Sequence, residues 1–251
     1  MIHFVGAGCG APDLVTLRGK SFLETADVII YAGSLVNPEL LTFAKPGCAV
    51  YNSAHMTLED VMGVMLQAEQ DRKQTVRLHT GDPCLYGAIR EQMDILTAHG
   101  IAFDVCPGVS SFCGAAAALR AEYTLPDVSQ TVIITRMAGR TPVPEQESIR
   151  SLAAHGATMV IFLSTGMLKK LSAELIAGGY PADTPAAIVY KASWQDEKVC
   201  RCTVAALAET AAAHGITKTA LITVGNFLGD DYALSKLYDA EFSTEFRKAK
   251  A

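Results

Sequence analysis

The chain has 251 residues, half of them apolar and 19% charged, with a net charge of −5. That balance excludes a disordered chain and describes one large or two small folded domains. The acidic excess excludes general nucleic-acid binding, so an anionic ligand must meet local basic clusters. No run approaches the roughly 18 consecutive apolar residues of a membrane span. Met1-Ile2-His3-Phe4-Val5 lacks a basic leader and a long apolar stretch, and it reads as a first strand instead of a signal peptide. A cytoplasmic protein is expected. The cysteines are Cys9, Cys48, Cys84, Cys106, Cys113, Cys200 and Cys202, with no C-x-x-C pair among them. They are expected as reduced, mostly buried thiols, without disulfides and without a metal site.

In chain order, residues 2–5 form a strand that ends in the glycine loop Gly6-Ala7-Gly8-Cys9-Gly10. A helix is expected over 14–25, and the β-branched run 28–31 reads as a buried strand. Thr57 can cap a helix that carries Leu58, Val61, Met62, Met65 and Leu66 on one face. Residues 75–79 form a strand that ends in Thr80-Gly81-Asp82-Pro83, and a helix with Ile89, Met93 and Leu96 follows. A strand over 103–106 leads to Pro107-Gly108 and a helix over 114–119. The pattern resets near 123–127, which places one α/β domain over 1–122 and a second over 123–251. The second has strands near 131–135, 159–163, 186–190, 199–203 and 220–224, with helices near 147–154, 168–177 and 204–214. No helix separates 186–190 from 199–203, so these strands predict a hairpin and a mixed sheet. The tail after Gly229 reads as polar.

Three glycine or proline loops each follow a strand of the first domain: 6–12, 80–87 and 107–111. In open α/β sheets, ligands bind beyond the carboxyl ends of the strands. Gly6-x-Gly8-x-x-Ala11 fits a relaxed dinucleotide fingerprint. That reading needs an acid at the end of the second strand, where Tyr31-Ala32-Gly33-Ser34 has none, so nicotinamide binding is disfavoured.

The segments 5–14, 26–31, Thr80-Gly81-Asp82-Pro83-Cys84-Leu85-Tyr86-Gly87 and Pro107-Gly108-Val109-Ser110-Ser111 resemble the tetrapyrrole methylases, the class III S-adenosylmethionine-dependent methyltransferases. The resemblance covers residues 2–229. Within the family, segments 31–36, 79–83, 130–136, 139–145 and 190–194 resemble the group acting on carbon 11 of precorrin-4 or cobalt-precorrin-4. It implies two tandem αβα domains with the active site in the cleft between them, S-adenosylmethionine as methyl donor, a small-molecule tetrapyrrole substrate and a homodimer. Neither a nucleic acid nor a membrane is expected as a partner. The cofactor contacts it implies are Cys9, Thr80, Gly81, Asp82, Leu85, Ser110, Ser111, Ser164 and Ala192.

Two departures matter. The family often has Gly-Pro-Gly-Asp where this chain has Gly8-Cys9-Gly10-Ala11, and the aspartate that some members place after the second strand is absent. No catalytic base is therefore assigned. Asp82 is also suited to forming a turn before Pro83, and Ser110 and Ser111 to capping the next helix. A substrate with many carboxylate arms suits guanidinium and ammonium groups. Arg136, Arg140, Lys191, Trp194 and His55 are the candidate substrate contacts. His79 reads as a satisfied structural histidine before a proton shuttle, and Tyr86 as a packing residue. A methylase acting on another tetrapyrrole carbon or on a protein side chain, and a non-catalytic tetrapyrrole carrier, are the competing readings.

Overall fold

The computed structural model describes residues 1–250 and, at Ser34, the backbone alone. The chain divides into two compact units. The first is Met1–Ala115 together with Lys191–Glu197; the second is Ala116–Tyr190 and the chain from Lys198 onward. The sequence pattern itself changes later, near Tyr123, and 191–197 lies in sequence within the second half.

The first unit holds a parallel sheet of β1 (Ile2–Gly6), β2 (Val28–Tyr31), β3 (Ala49–Asn52), β4 (Thr75–His79) and β5 (Phe103–Cys106), in the spatial order β3-β2-β4-β1-β5. Its central strands β1 and β4 are buried along their whole length, as expected of a parallel sheet covered on both faces. On one face Val5, Ile29, Val76 and Leu78 pack with Leu23 of helix α1 (Leu17–Thr25) and with Leu40. On the other, Ile2, Phe4, Val28 and Ile30 pack with Val61, Met62 and Met65 of α2 (Leu58–Gln70) and Leu96 of α3 (Arg90–Ala98). Thr57 starts α2 through reciprocal bonds: its hydroxyl accepts from Asp60 N–H, and the Asp60 carboxylate accepts from Thr57 N–H.

Neighbouring strands β1 and β4 send the chain in opposite directions. From β1 it crosses to β2, and from β4 it crosses to β5. Right-handed crossovers put these two connections on opposite faces, and so α1 and α3 lie on opposite faces. The connections leaving β1 and β4 therefore part to opposite faces, which makes their carboxyl ends a topological switch point, the place where ligands bind in such sheets.

In the second unit β6 (Val132–Arg136), β7 (Thr158–Phe162), β8 (Pro185–Tyr190), β9 (Lys198–Thr203) and β10 (Ala220–Val224) take the order β6-β7-β10-β8-β9. β6 and β7 are parallel, β10 is antiparallel to β7 and β8, and β9 closes an antiparallel hairpin with β8. The mixed sheet is as expected. Its core joins Met159, Ile161, Ile188 and Ile222 to Leu168, Leu171 and Leu175 of α6 (Leu168–Ala177) and Leu207 of α7 (Leu207–Ala213). The short α5 (Ile149–Ala153) adds Ile149 and Ala153.

Several expectations need correction. The first helix begins at Leu17 and not at residue 14: Pro12–Leu14 forms a separate 3-10 turn, and the extended Thr16 caps α1 by accepting from Gly19 N–H. α4 (Ser111–Leu119) starts earlier than expected. Strand β3 was missed because a short edge strand, half turned to solvent, shows neither a continuous apolar run nor clean alternation. The cysteines are all free, but only Cys9, Cys106 and Cys200 are buried, whereas Cys84 and Cys113 are exposed. The tail is less polar than expected, with Leu234, Leu237, Tyr238 and Phe246 exposed.

The loops after β1, β4 and β5 meet backbone to backbone. A Cβ built on Gly108 would stand 2.3 Å from the Gly81 carbonyl oxygen and 2.7 Å from Gly6 Cα. Gly63, in the middle of α2, would meet nothing within 4 Å. In thermal or denaturant melts Gly108→Ala is expected to lose about 1–3 kcal/mol of stability by overpacking. Gly63→Ala is expected to gain about 0.5–1 kcal/mol, because only the helix-propensity difference acts there. Equal effects at the two positions would contradict the close approach.

Candidate functional site

Gly8 and Gly81 bind each other reciprocally: Gly8 N–H donates to Gly81 O at 3.2 Å, and Gly81 N–H to Gly8 O at 3.0 Å. Both lie in the left-handed region, with φ of +80° and +60°, which favours glycine. Ala7 N–H donates to His79 O, so the first loop is tied to the end of β4. Gly81 backs onto the start of α4, where a Cβ would stand 3.3 Å from Ser110 Cα and Ser111 N. Gly81, Ser110 and Ser111 are thus brought together as expected.

Asp82 joins them in a different capacity. One carboxylate oxygen accepts from Cys84 N–H at 2.8 Å and the other from Gly108 N–H at 2.9 Å. The residue forms its own turn and clamps the β4 loop to the β5 loop. Partial burial opposes its ionisation. The bonds from Cys84 and Gly108 outweigh that effect and hold the carboxyl below its ordinary 3.8. Leu85, half-buried, follows in the same turn and donates its N–H to Asp82 O. The Thr80 hydroxyl is buried without a hydrogen-bond partner among the described residues.

The segment Lys191–Glu197 seats on the first loop. Ser193 Oγ accepts from Ala11 N–H at 2.9 Å and lies 3.4 Å from Cys9 Sγ. Ser193 N–H in turn donates to the Glu197 carboxylate at 2.6 Å. Trp194 covers Gly10, where a Cβ would fall 2.3 Å from the indole Cδ1 and 2.5 Å from Ala192 O. Cys9 is 7% exposed and packs against Gly114, beside Ala192. Lys191 donates to Asp196 at 2.6 Å and stands 5.0 Å from the Trp194 ring centroid. The ammonium is therefore engaged within its own loop. Asn37, also buried, donates to Gly10 O at 3.0 Å. Ser193, Glu197 and Asn37 were not singled out from sequence. A serine and a glutamate in a hairpin carry no periodic signal, and Asn37 before Pro38 reads only as a turn.

His55 is exposed, at the end of a 3-10 turn following β3. It shares the carboxyl edge of the sheet, but β3 lies two strands out from β4, roughly 10 Å at ordinary strand spacing. His79 is 3% exposed, and its Nε2 has no partner among the described residues. The satisfied structural histidine expected there is absent. Desolvation, with the Arg77 charge adding to it, pushes its pKa down to about 3, so the ring is neutral near pH 7. Tyr86 is 45% exposed in a left-handed conformation, which is not a simple packing role.

Arg136, Arg140 and Ser164 belong to the second unit. Arg136 ends β6, and its guanidinium turns back onto its own loop, donating to the carbonyls of Met137, Thr141 and Pro142. Arg136, a candidate substrate contact, is thus engaged by its own loop. Arg140 is exposed and has no hydrogen bond or ion pair among the described residues. Ser164 is fully buried and accepts from Met137 N–H while donating to Phe162 O. It laces the β6 loop to the end of β7. Among the described residues no group of three His, Cys, Asp or Glu side chains could hold a metal ion, and no helix is long and apolar enough to cross a membrane.

The model of the tetrapyrrole (corrin/porphyrin) methylases matches residues 1–208. The chain belongs to this family. It is 55% identical over 249 residues to the cobalt-precorrin-4 C(11)-methyltransferase of Methanocaldococcus jannaschii, covering 99% of this chain and 96% of that one. An X-ray structure of a cobalt precorrin-4 methyltransferase matches with a TM-score of 0.89 at 47% identity, covering 91% and 96% of the two chains. A uroporphyrin-III C-methyltransferase from Thermus thermophilus, complexed with S-adenyl homocysteine, matches at 0.73 and 25% identity over 90% and 92%.

A tetrapyrrole methylase needs a place for S-adenosylmethionine, and the first unit's residues fit one. The orphaned Thr80 hydroxyl leaves a hydrogen-bonding group open, and the Cβ-free Gly8 and Gly81 permit close approach to backbone. Two consequences can be measured. Ser193→Ala removes the bond that holds Ala11 N–H and is expected to cost about 1–3 kcal/mol, with a shift in the emission of Trp194, the chain's single tryptophan. Unchanged stability and emission would show that the clasp does not hold. His79 gives a pH signature. Between its unfolded value of 6.5 and about 3, the unfolded chain binds a proton that the folded chain does not. Stability should therefore fall as pH drops through that window, by on the order of a few kcal/mol in total. Denaturant titrations at about pH 7 and about pH 4 should show a smaller loss for His79→Leu than for the parent.

Proposed function

We propose that the chain transfers the methyl group of S-adenosylmethionine to carbon 11 of cobalt-precorrin-4 in the building of a corrin ring, acting in the cytoplasm as a homodimer. The observation that carries the reading is the meeting of three loops at the glycines Gly6, Gly81 and Gly108, at the switch point of the parallel sheet and beside the Thr80 hydroxyl, which has no partner among the described residues. The full-length similarity to a methyltransferase named for cobalt-precorrin-4 supports the choice of substrate.

When bound, S-adenosylmethionine supplies a methyl group already activated by its positive sulfonium. The chain's own task is to position and shield. Gly8 and Gly81 offer backbone at close range, and Thr80 offers a hydroxyl able to donate or accept. Asp82 fixes the spacing between the β4 and β5 loops and so sets where Ser110 and Ser111 stand. Holding reacting atoms in line is worth several kcal/mol of barrier without any acid or base. Arg140 is the arginine of the 136–145 loop with no hydrogen bond or ion pair among the described residues, and we assign it to a carboxylate arm of the substrate. Arg136 shapes the loop that carries it. Ser164, Lys191 and Trp194 act as anchors of the loops around the ligands, and His55 is left as an outlying contact.

The deciding experiment incubates the purified protein with S-adenosylmethionine carrying a labelled methyl group and either cobalt-precorrin-4 or metal-free precorrin-4. The expected product carries one added methyl, placed at carbon 11 by carbon NMR. Faster turnover of the metal-free ring would move the assignment to precorrin-4. A label at another carbon would overturn the regiochemistry, and tetrapyrrole binding without any cofactor heat would favour a carrier. Arg140→Ala is expected to raise the KM for the tetrapyrrole roughly tenfold to a hundredfold, as loss of one charge-assisted bond implies. Its affinity for S-adenosylhomocysteine should stay unchanged in calorimetry.

A further inference from the structure

Arg77 sits in the middle of β4, 7% exposed, on the sheet face that packs against α2 and α3. Among the described residues it has no carboxylate partner. Its Nε donates to the Gln92 side-chain oxygen at 3.3 Å, and its Nη1 donates to Ile30 O at 3.2 Å. Burial lowers its pKa to about 10, which records how poorly solvated this cation is. An apolar side chain would cover the same face at less cost. Packing alone therefore does not explain an arginine there.

Its hydrogen bonds lead to the β4 loop. Gln92 is 5% exposed, and it passes the contact on by donating its side-chain N–H to Ala88 O at 3.0 Å. Ala88 ends the loop in a left-handed conformation, φ 49°, and Tyr86 is left-handed at φ 56°. Gly87 between them cannot carry a side chain, because a Cβ would lie 2.2 Å from Pro83 O. Two non-glycine residues held left-handed on either side of a glycine form a conformation that the surroundings must impose. The Gln92 amide is a polar contact that reaches this turn from the core, and Arg77 holds that amide in place.

We propose that Arg77 and Gln92 are positioning residues for the ligand loop 80–88. Through Ala88 O they impose the left-handed turn that sets where Leu85 and Tyr86 stand. The inference rests on reading this loop as the S-adenosylmethionine site. It extends that reading to core residues that touch no ligand.

Calorimetric titration with S-adenosylhomocysteine tests it. Gln92→Met keeps the length of the side chain and removes both bonds. It is expected to weaken binding about tenfold, the effect of one lost buried hydrogen bond. Glycine adopts left-handed conformations freely. Adding Ala88→Gly to Gln92→Met should therefore restore affinity to within about threefold of the parent. A role confined to stability would lower Tm without moving affinity and would gain nothing from the added glycine. Unchanged affinity in folded Gln92→Met, or lost affinity that Ala88→Gly does not restore, overturns the proposal. Should Gln92→Met not fold, Gln92→Glu is read by the same criterion, since it keeps the acceptor for Arg77 and lacks the donor for Ala88 O. If the unmodified protein gives no heat with S-adenosylhomocysteine, the cofactor reading itself falls, and the inference with it.

Discussion

Everything in the first unit follows from one steric fact: three strand-end loops approach each other more closely than any side chain permits. Gly6, Gly81 and Gly108 come from β1, β4 and β5, which are adjacent in the sheet. Parallel strands of this kind sit about 4.8 Å apart, so their exits are already crowded. Removing the Cβ atoms turns crowding into contact. Backbone N–H and C=O groups can then pair across loops, as Gly8 and Gly81 do, and Asp82 can reach the amide of a different loop. A set of loops that would each be mobile alone becomes a fixed wall.

The strand order makes that wall useful. The chain leaves β1 and β4 in opposite directions, so the wall stands at the switch point of the sheet, where ligands bind in open α/β folds. The polar groups gathered there are mostly matched among the described residues, with the Thr80 hydroxyl and His79 Nε2 as exceptions. In the second unit the same economy recurs at smaller scale. Ser164 is wholly buried and joins the ends of β6 and β7, and Arg136 folds its loop over three carbonyls. Such residues look like ligand contacts in a sequence, yet their polar groups here are engaged by their own unit's backbone.

That distinction marks how far the sequence could be read. Strands β2, β4, β5 and β10 were legible to the residue: in β2 and β10 near-continuous burial forces continuous apolar runs, while β4 and the partly exposed β5 are marked by the glycine and proline loops that end them. The glycine loops were legible because their composition is the direct imprint of the steric requirement. β3 was not, since an edge strand with an exposed side leaves a weak pattern. Among the candidate site residues, Gly81, Ser110 and Ser111 lie together, whereas the direction of the Arg136 guanidinium was beyond reach. A loop's composition reports that it bends, and only its coordinates report which carbonyls it turns inward. Glu197 bonds Ser193 four residues away in a hairpin without a periodic signal, and Ser193 was invisible for the related reason that Ala11 and Cys9 are far away along the chain.

That last separation bears on how the protein is made. Ser193 and Ala11 are 182 residues apart, yet one hydrogen bond joins them inside a single compact unit. During synthesis the N-terminal residues leave the ribosome early and can form their parallel sheet. The glycine loop after β1 then stands without its serine clasp and without the tryptophan over Gly10 until nearly four-fifths of the chain has emerged. The unit that begins first is among the last to be completed. Translation order alone therefore postpones the finished loop until the hairpin of the second sheet exists, and a truncated chain lacking that hairpin carries a sheet with an unclosed edge loop.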